Sequence, residues 1–77
     1  MTLDTGGKVV DTNGLRRVAR TGLEDGEFTL WDIWIRFSSY GGDADALDIE
    51  AFIHALHTLS ESDVLVLGWT LKELRNR

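Results

Sequence analysis

The chain has no cysteine and no proline, and only one methionine and one tyrosine. Without cysteine there is no disulfide, no thiol nucleophile and no cysteine metal site, a composition that fits a reducing cytoplasm. Without proline, no helix is interrupted from within. No apolar run approaches the ~18–20 residues needed to cross a bilayer, so no membrane association is expected. The start, "MTLDTGGKVV", has a single lysine and no apolar stretch of signal-peptide length, which predicts no export. Also missing are a GxSxG elbow and a phosphate-cradling glycine loop. A chain this short leaves no room for a deep pocket of ~300 Å3 or more. The expectation is a protein without catalytic activity and without a cofactor.

What is present describes an ordinary globular domain. Seventy-seven residues, 43% of them apolar and 27% charged, suit one small folded unit rather than a disordered chain. A domain of this size buries roughly 60–65% of its unfolded surface, so each apolar contact matters. The net charge of −5 is unevenly spread. Residues 1–20 are basic through Lys8, Arg16, Arg17 and Arg20. Residues 21–63 carry ten acidic side chains and only Arg36. From Val64 onward Lys72, Arg75 and Arg77 outnumber Glu73. An acidic middle between basic ends can neutralise itself within the fold, and it is a poor surface for a phosphate backbone.

Periodicity predicts an all-α fold. Residues 1–11 hold adjacent glycines and no sustained pattern, which reads as a mobile tail before a single domain over 12–77. "TNGLRRVARTG" places Leu15, Val18 and Ala19 at helical spacing, with Thr12 or Asn13 as cap and Gly22 as stop: a short helix. Asp25-Gly26 marks a turn. "LWDIWIRF", residues 30–37, alternates like a strand and also repeats like a helix. Its flanks decide: Thr29 and Asp32 form a helix-start pattern, Gly41-Gly42 a helix stop, and the span of about eleven residues is a helix length. A third helix, capped by Asp43 or Asp45, presents Ile49, Phe52, Ile53 and Leu56. A fourth follows Ser60-Glu-Ser-Asp63 with Val64, Leu67, Leu71 and Leu74 on one face. Short connections predict that helices 2 and 3, and 3 and 4, lie antiparallel as neighbours. The architecture expected is a bundle of three main helices with a short one in front.

Three constellations invite a chemical reading. Glu50, His54, His57 and Glu61 follow at spacings of four, three and four, so an extended helix 3 would place them on one stripe. Such spacing suits a divalent metal, although no HExxH pattern accompanies it and solvated polar residues usually flank an apolar face. "GGDADALDIEAF" superficially resembles a calcium loop, but the register fails. A start at Asp43 puts Leu47 where the fifth position needs oxygen and His54 where the twelfth needs glutamate. The aspartates read as helix caps. Arg16, Arg17 and Arg20 raise nucleic-acid binding, yet the helix that would enter a groove begins with Asp48 and Glu50. Pairing with the acidic middle is the plainer role, at about 0–1 kcal/mol per exposed pair.

The apolar surplus is the last feature. Leu30, Ile33, Trp34 and Phe37 form the inward arc of helix 2, while Trp31 and Ile35 widen it toward ~200°. Leu65 and Trp69 do the same on helix 4. A soluble helix needs a stripe only somewhat wider than ~100°. The first helix, through Leu15, Val18 and Leu23, is one possible cover. A second contact surface is the other, since tryptophan is a preferred anchor. "LWDIWIRFSSYGGDADALDIEAFIHAL" followed by "LSESDVLVLGWTLKEL" resembles short, uncharacterised helical proteins of high-GC Gram-positive bacteria. The shared features are an aromatic helix, a double glycine, an acidic-capped helix and a closing helix, over residues 23 to 75. The resemblance implies a helical fold and a bacterial cytoplasm, and nothing about chemistry. The expectation is a small regulatory interaction module that binds another protein or itself through Trp31, Ile35, Leu65 and Trp69. A DNA-binding regulator using Arg16, Arg17 and Arg20 is the alternative, and a metal-binding protein using Glu50, His54 and His57 the third.

Overall fold

The computed structural model describes residues 11–76. The expected tail over residues 1–10 therefore lies outside the described residues. Four helices follow in order: α1 Thr12–Asp25, α2 Leu30–Ser39, α3 Ala46–Ile53 and α4 Glu61–Arg75. Among the described residues there is no strand, so "LWDIWIRF" is helical, as its flanks predict.

Local chemistry explains most of the boundaries. The Thr29 hydroxyl accepts from the Asp32 backbone N–H at 3.0 Å and the Asp32 carboxylate accepts from the Thr29 N–H at 2.9 Å. This reciprocal box satisfies two donors that a helix start otherwise leaves orphaned. Asp45 and Asp48 repeat it at the start of α3, so Asp45 rather than Asp43 is the cap. Ser60 caps α4 by accepting from Asp63 N–H. The Asp63 carboxylate, largely buried, in turn accepts the backbone N–H of Asp43 and ties the loop before α3 to the start of α4. Gly41, at φ +92°, ends α2, and Gly42 N–H returns to Phe37 O at 3.0 Å.

Two expectations about α1 are corrected. Its cap is Asp11, whose side chain accepts from Gly14 N–H, not Thr12 or Asn13. The folded domain therefore includes Asp11. The helix runs through Gly22 to Gly26, which takes the left-handed conformation at φ +75°. Gly22 is interior because Phe28, buried in the following turn, lies against it. A Cβ there would stand 2.1 Å from Phe28 Cζ. At fourteen residues α1 is a full member of the bundle rather than a short helix in front.

The packing forms a ring, α1–α3–α2–α4, in which each helix has two neighbours. α2 and α3 are adjacent as expected. α3 and α4 are not close neighbours: α3 packs on α1 and α2, which places α3 and α4 across the ring from one another, as α1 and α2 are. The core at the centre is filled by Ala19 of α1, Ile33 and Phe37 of α2, Ile49, Phe52 and Ile53 of α3, and Leu67 and Leu71 of α4. Thr70 is also fully buried, and its hydroxyl is satisfied by donating to Val66 O at 2.9 Å.

Candidate interaction face

α2 turns Ile33 and Phe37 into the core, and Leu30 and Trp34 pack against it while half-buried. The residues that widen the stripe stay outside. Trp31 is 60% exposed and Ile35 48%. Trp31 lies over Trp34, with ring centroids 5.0 Å apart and planes tilted by 36°. Trp34 thus joins the core to the surface, and Trp31 stands on it as an outer layer.

α4 shows the same division. Leu67, Leu71 and Leu74 are buried, Val64 is half-buried, and Leu65 and Trp69 are 41% and 60% exposed. α1 does not provide the cover. Leu15, Val18 and Leu23 pack against the core, but α1 neighbours α3 and α4 rather than α2, and both outer tryptophans remain in solvent.

The two exposed strips belong to helices that pack directly on one another. Arg36, beside Ile35, pairs with Glu73, one turn beyond Trp69 on α4. Tyr40 joins them: hydrogen bonding with Tyr40, and then with Arg36, holds the Glu73 carboxyl below its ordinary value. The same bond to Glu73 raises the Tyr40 hydroxyl, with burial adding to it. Hydrogen bonds that Arg36 donates to Tyr40 and to Glu73 likewise raise its own pKa. A solvent-exposed polar contact therefore links α2 to α4 near Trp69. A shallow depression of about 330 Å3, lined by Trp69, Lys72, Glu73 and Asn76, adjoins it. It is an open hollow between side chains rather than a deep pocket.

The arginine triplet divides. Arg16 Nε donates to Phe52 O at 2.7 Å, Nη2 to His57 O at 3.4 Å, and the guanidinium sits 4.4 Å from the Phe52 ring centroid. It caps the C-terminal end of α3, where the helix dipole favours a cation. Sequence reasoning missed this role, because the partners are backbone oxygens 36 and 41 residues away. Arg17 and Arg20 are exposed on α1.

The histidine stripe does not form. α3 ends at Ile53, with His54 as its cap residue and Ala55 left-handed at φ 62°. His57 and Glu61 are therefore off the helix that carries Glu50. Among the described residues no three His, Asp or Glu side chains cluster to hold a metal ion. The same early ending removes Leu56 from the expected core stripe and leaves it 82% exposed. Leu47, in the first turn of α3, is 73% exposed and was not singled out by its spacing.

No protein-family model matches the chain, and no curated protein or solved structure is significantly similar to it. Among the described residues no helix is long and apolar enough to cross a membrane.

Proposed function

We propose that the protein is a small interaction module, regulatory rather than catalytic, that docks another protein on the α2/α4 face. The observation that carries this reading is the solvent position of Trp31 and Trp69 on two adjacent helices whose inward faces already fill the core. Large aromatic side chains left in water cost solubility and contribute little to folding, whereas at an interface they are the commonest energetic anchors. Ile35 and Leu65 extend the surface, and the Arg36–Tyr40–Glu73 contact links the two helices near Trp69. A bacterial cytoplasmic setting belongs to this proposal.

The DNA-binding alternative is weaker, because Arg16 is engaged with the end of α3 and only Arg17 and Arg20 of the triplet remain for phosphate. The test compares Trp31→Ala, Trp69→Ala and Trp34→Ala by urea denaturation and by sedimentation with and without a captured partner. The first two should stay folded and lose binding of the captured partner. Trp34→Ala, which supports the core, should lose more stability than either. Equal destabilisation in all three, with association unchanged, would assign the tryptophans to folding alone.

A further inference from the structure

Between α1 and α4 runs a groove of about 310 Å3, floored by Leu15, Val18, Gly68 and Leu71 and edged by Lys72 and Arg75. Arg75 also lines the adjoining hollow with Arg17, Val18, Gly22 and Glu27, so the groove continues along both helices under a rim in which basic side chains outnumber the single carboxylate. Leu15 stands opposite Gly68, while Gly22 stands opposite Arg75, which makes α1 and α4 a parallel pair.

Gly68 is the unexplained residue. A glycine inside a helix is less favourable than alanine. Gly22 and Gly42 are each required by an aromatic ring that a Cβ would strike, at 2.1 and 2.2 Å. A Cβ on Gly68 would meet nothing nearer than Leu15 Cδ1 at 4.0 Å, an ordinary contact. The fold does not need glycine there, and the missing side chain deepens the groove floor.

The complementary surface is on the same molecule. Between Arg36 and Lys72 the sequence has no lysine or arginine. In that stretch Leu47 projects into solvent amid Asp43, Asp45, Asp48 and Glu50. α3 packs on α1 and α2, so the acidic ridge sits on a different helix from the groove's α4 wall.

We propose that copies of this chain associate head to tail, the Leu47 ridge of one copy entering the α1/α4 groove over Gly68 of the next. Such a contact is heterologous: each copy retains a free ridge and a free groove, so association continues until a ring closes. It is independent of the aromatic face and draws on opposite charge, so salt weakens it. An acidic segment of another protein would fit the same groove, but only the second copy makes the assembly depend on Leu47.

The experiment is sedimentation velocity on the full chain over a concentration series at low and high salt. Two variants at exposed positions divide the contact: Leu47→Arg spoils the ridge, and Lys72→Glu with Arg75→Glu spoils the groove rim. The parent should form oligomers at low salt that dissociate at high salt, and each variant alone should be monomeric. Mixed in equal amounts, the two variants should give heterodimers that grow no further, since one supplies an intact groove and the other an intact ridge. Gly68→Leu should fill the groove and abolish assembly without lowering the melting temperature. Trp31→Ala with Trp69→Ala should assemble like the parent. A parent that is monomeric throughout, a variant mixture that stays monomeric, or loss of assembly in the tryptophan variant would overturn the proposal. The last result would assign self-association to the α2/α4 face instead.

Discussion

Arg16 and Arg17 are neighbours in sequence and opposites in role. Arg16 reaches across to Phe52 O and His57 O, while Arg17 stands in solvent on the rim of the α1/α4 groove. Hydrogen bonds from a charged donor contribute about 1.5–3 kcal/mol each, and less where the acceptor, like Phe52 O, also receives a backbone N–H. Arg16→Ala should therefore lower stability by about 1–3 kcal/mol in urea denaturation, with Arg17→Ala within about 0.5 kcal/mol of the parent. Equal effects would mean that the Arg16 contacts contribute nothing. Gly22 offers a test of opposite sign from helix propensity. Alanine in a helix interior is favoured over glycine by about 1 kcal/mol. At Gly22, however, the added Cβ collides with the buried Phe28 ring, and overpacking costs about 1–3 kcal/mol. Gly22→Ala should lower the melting temperature; an increase would show that Phe28 does not rest on α1.

Helix boundaries were legible where side chains cap them. Thr29 and Ser60 were readable because a short acceptor three residues before a carboxylate is a chemical pattern within one turn, whereas for α3 the sequence left Asp43 or Asp45 open and the structure has Asp45. Gly41 was readable because left-handed backbone favours glycine. The end of α3 was not, because the left-handed position there is Ala55. Nothing in alanine signals a stop, so the apolar stripe was carried on to Leu56 and the histidines were placed on a helix that had already ended. Gly22 misled in the opposite direction: the same residue type marks a stop or a close contact, and only Phe28 distinguishes them. The left-handed conformation costs a non-glycine residue roughly 1–2 kcal/mol, partly offset by glycine's greater freedom when unfolded. Ala55→Gly should therefore stabilise the protein by about 0.5–1 kcal/mol in thermal or urea unfolding. A loss would imply that α3 continues past Ile53. The α2–α4 polar contact makes a pH prediction. Because folding lowers the pKa of Glu73, its contribution is complete above the unfolded carboxylate value and is lost as pH falls through the folded one. Glu73→Gln should flatten the acid limb of stability in that window, and an unchanged limb would remove Glu73 from the account.

At the scale of the whole molecule, helical class and the outer positions of Trp31, Ile35, Leu65 and Trp69 could be read from angular spacing, because α2 and α4 each carry more apolar surface than one inward stripe uses. The ring order could not. Short loops suggested that α3 and α4 are neighbours, yet the tie from Asp43 N–H to Asp63 joins only the loop before α3 to the first turn of α4, and the body of α3 packs on α1 and α2 instead. Charge segregation was visible as a sequence trend, and its meaning changed once α1 and the end of α4 proved to be side by side. The bundle therefore presents an aromatic face on α2 and α4, a basic groove between α1 and α4, and an acidic ridge on α3. The aromatic face is the centre of the functional proposal, and apolar anchoring resists salt where charge pairing does not. The most direct test captures partners from the native host on the immobilised full chain at high salt, beside a folded Trp31→Ala, Trp69→Ala double variant. The account predicts a partner retained by the parent and lost by the variant. Equal retention by both, or no retained partner on the parent, would contradict it.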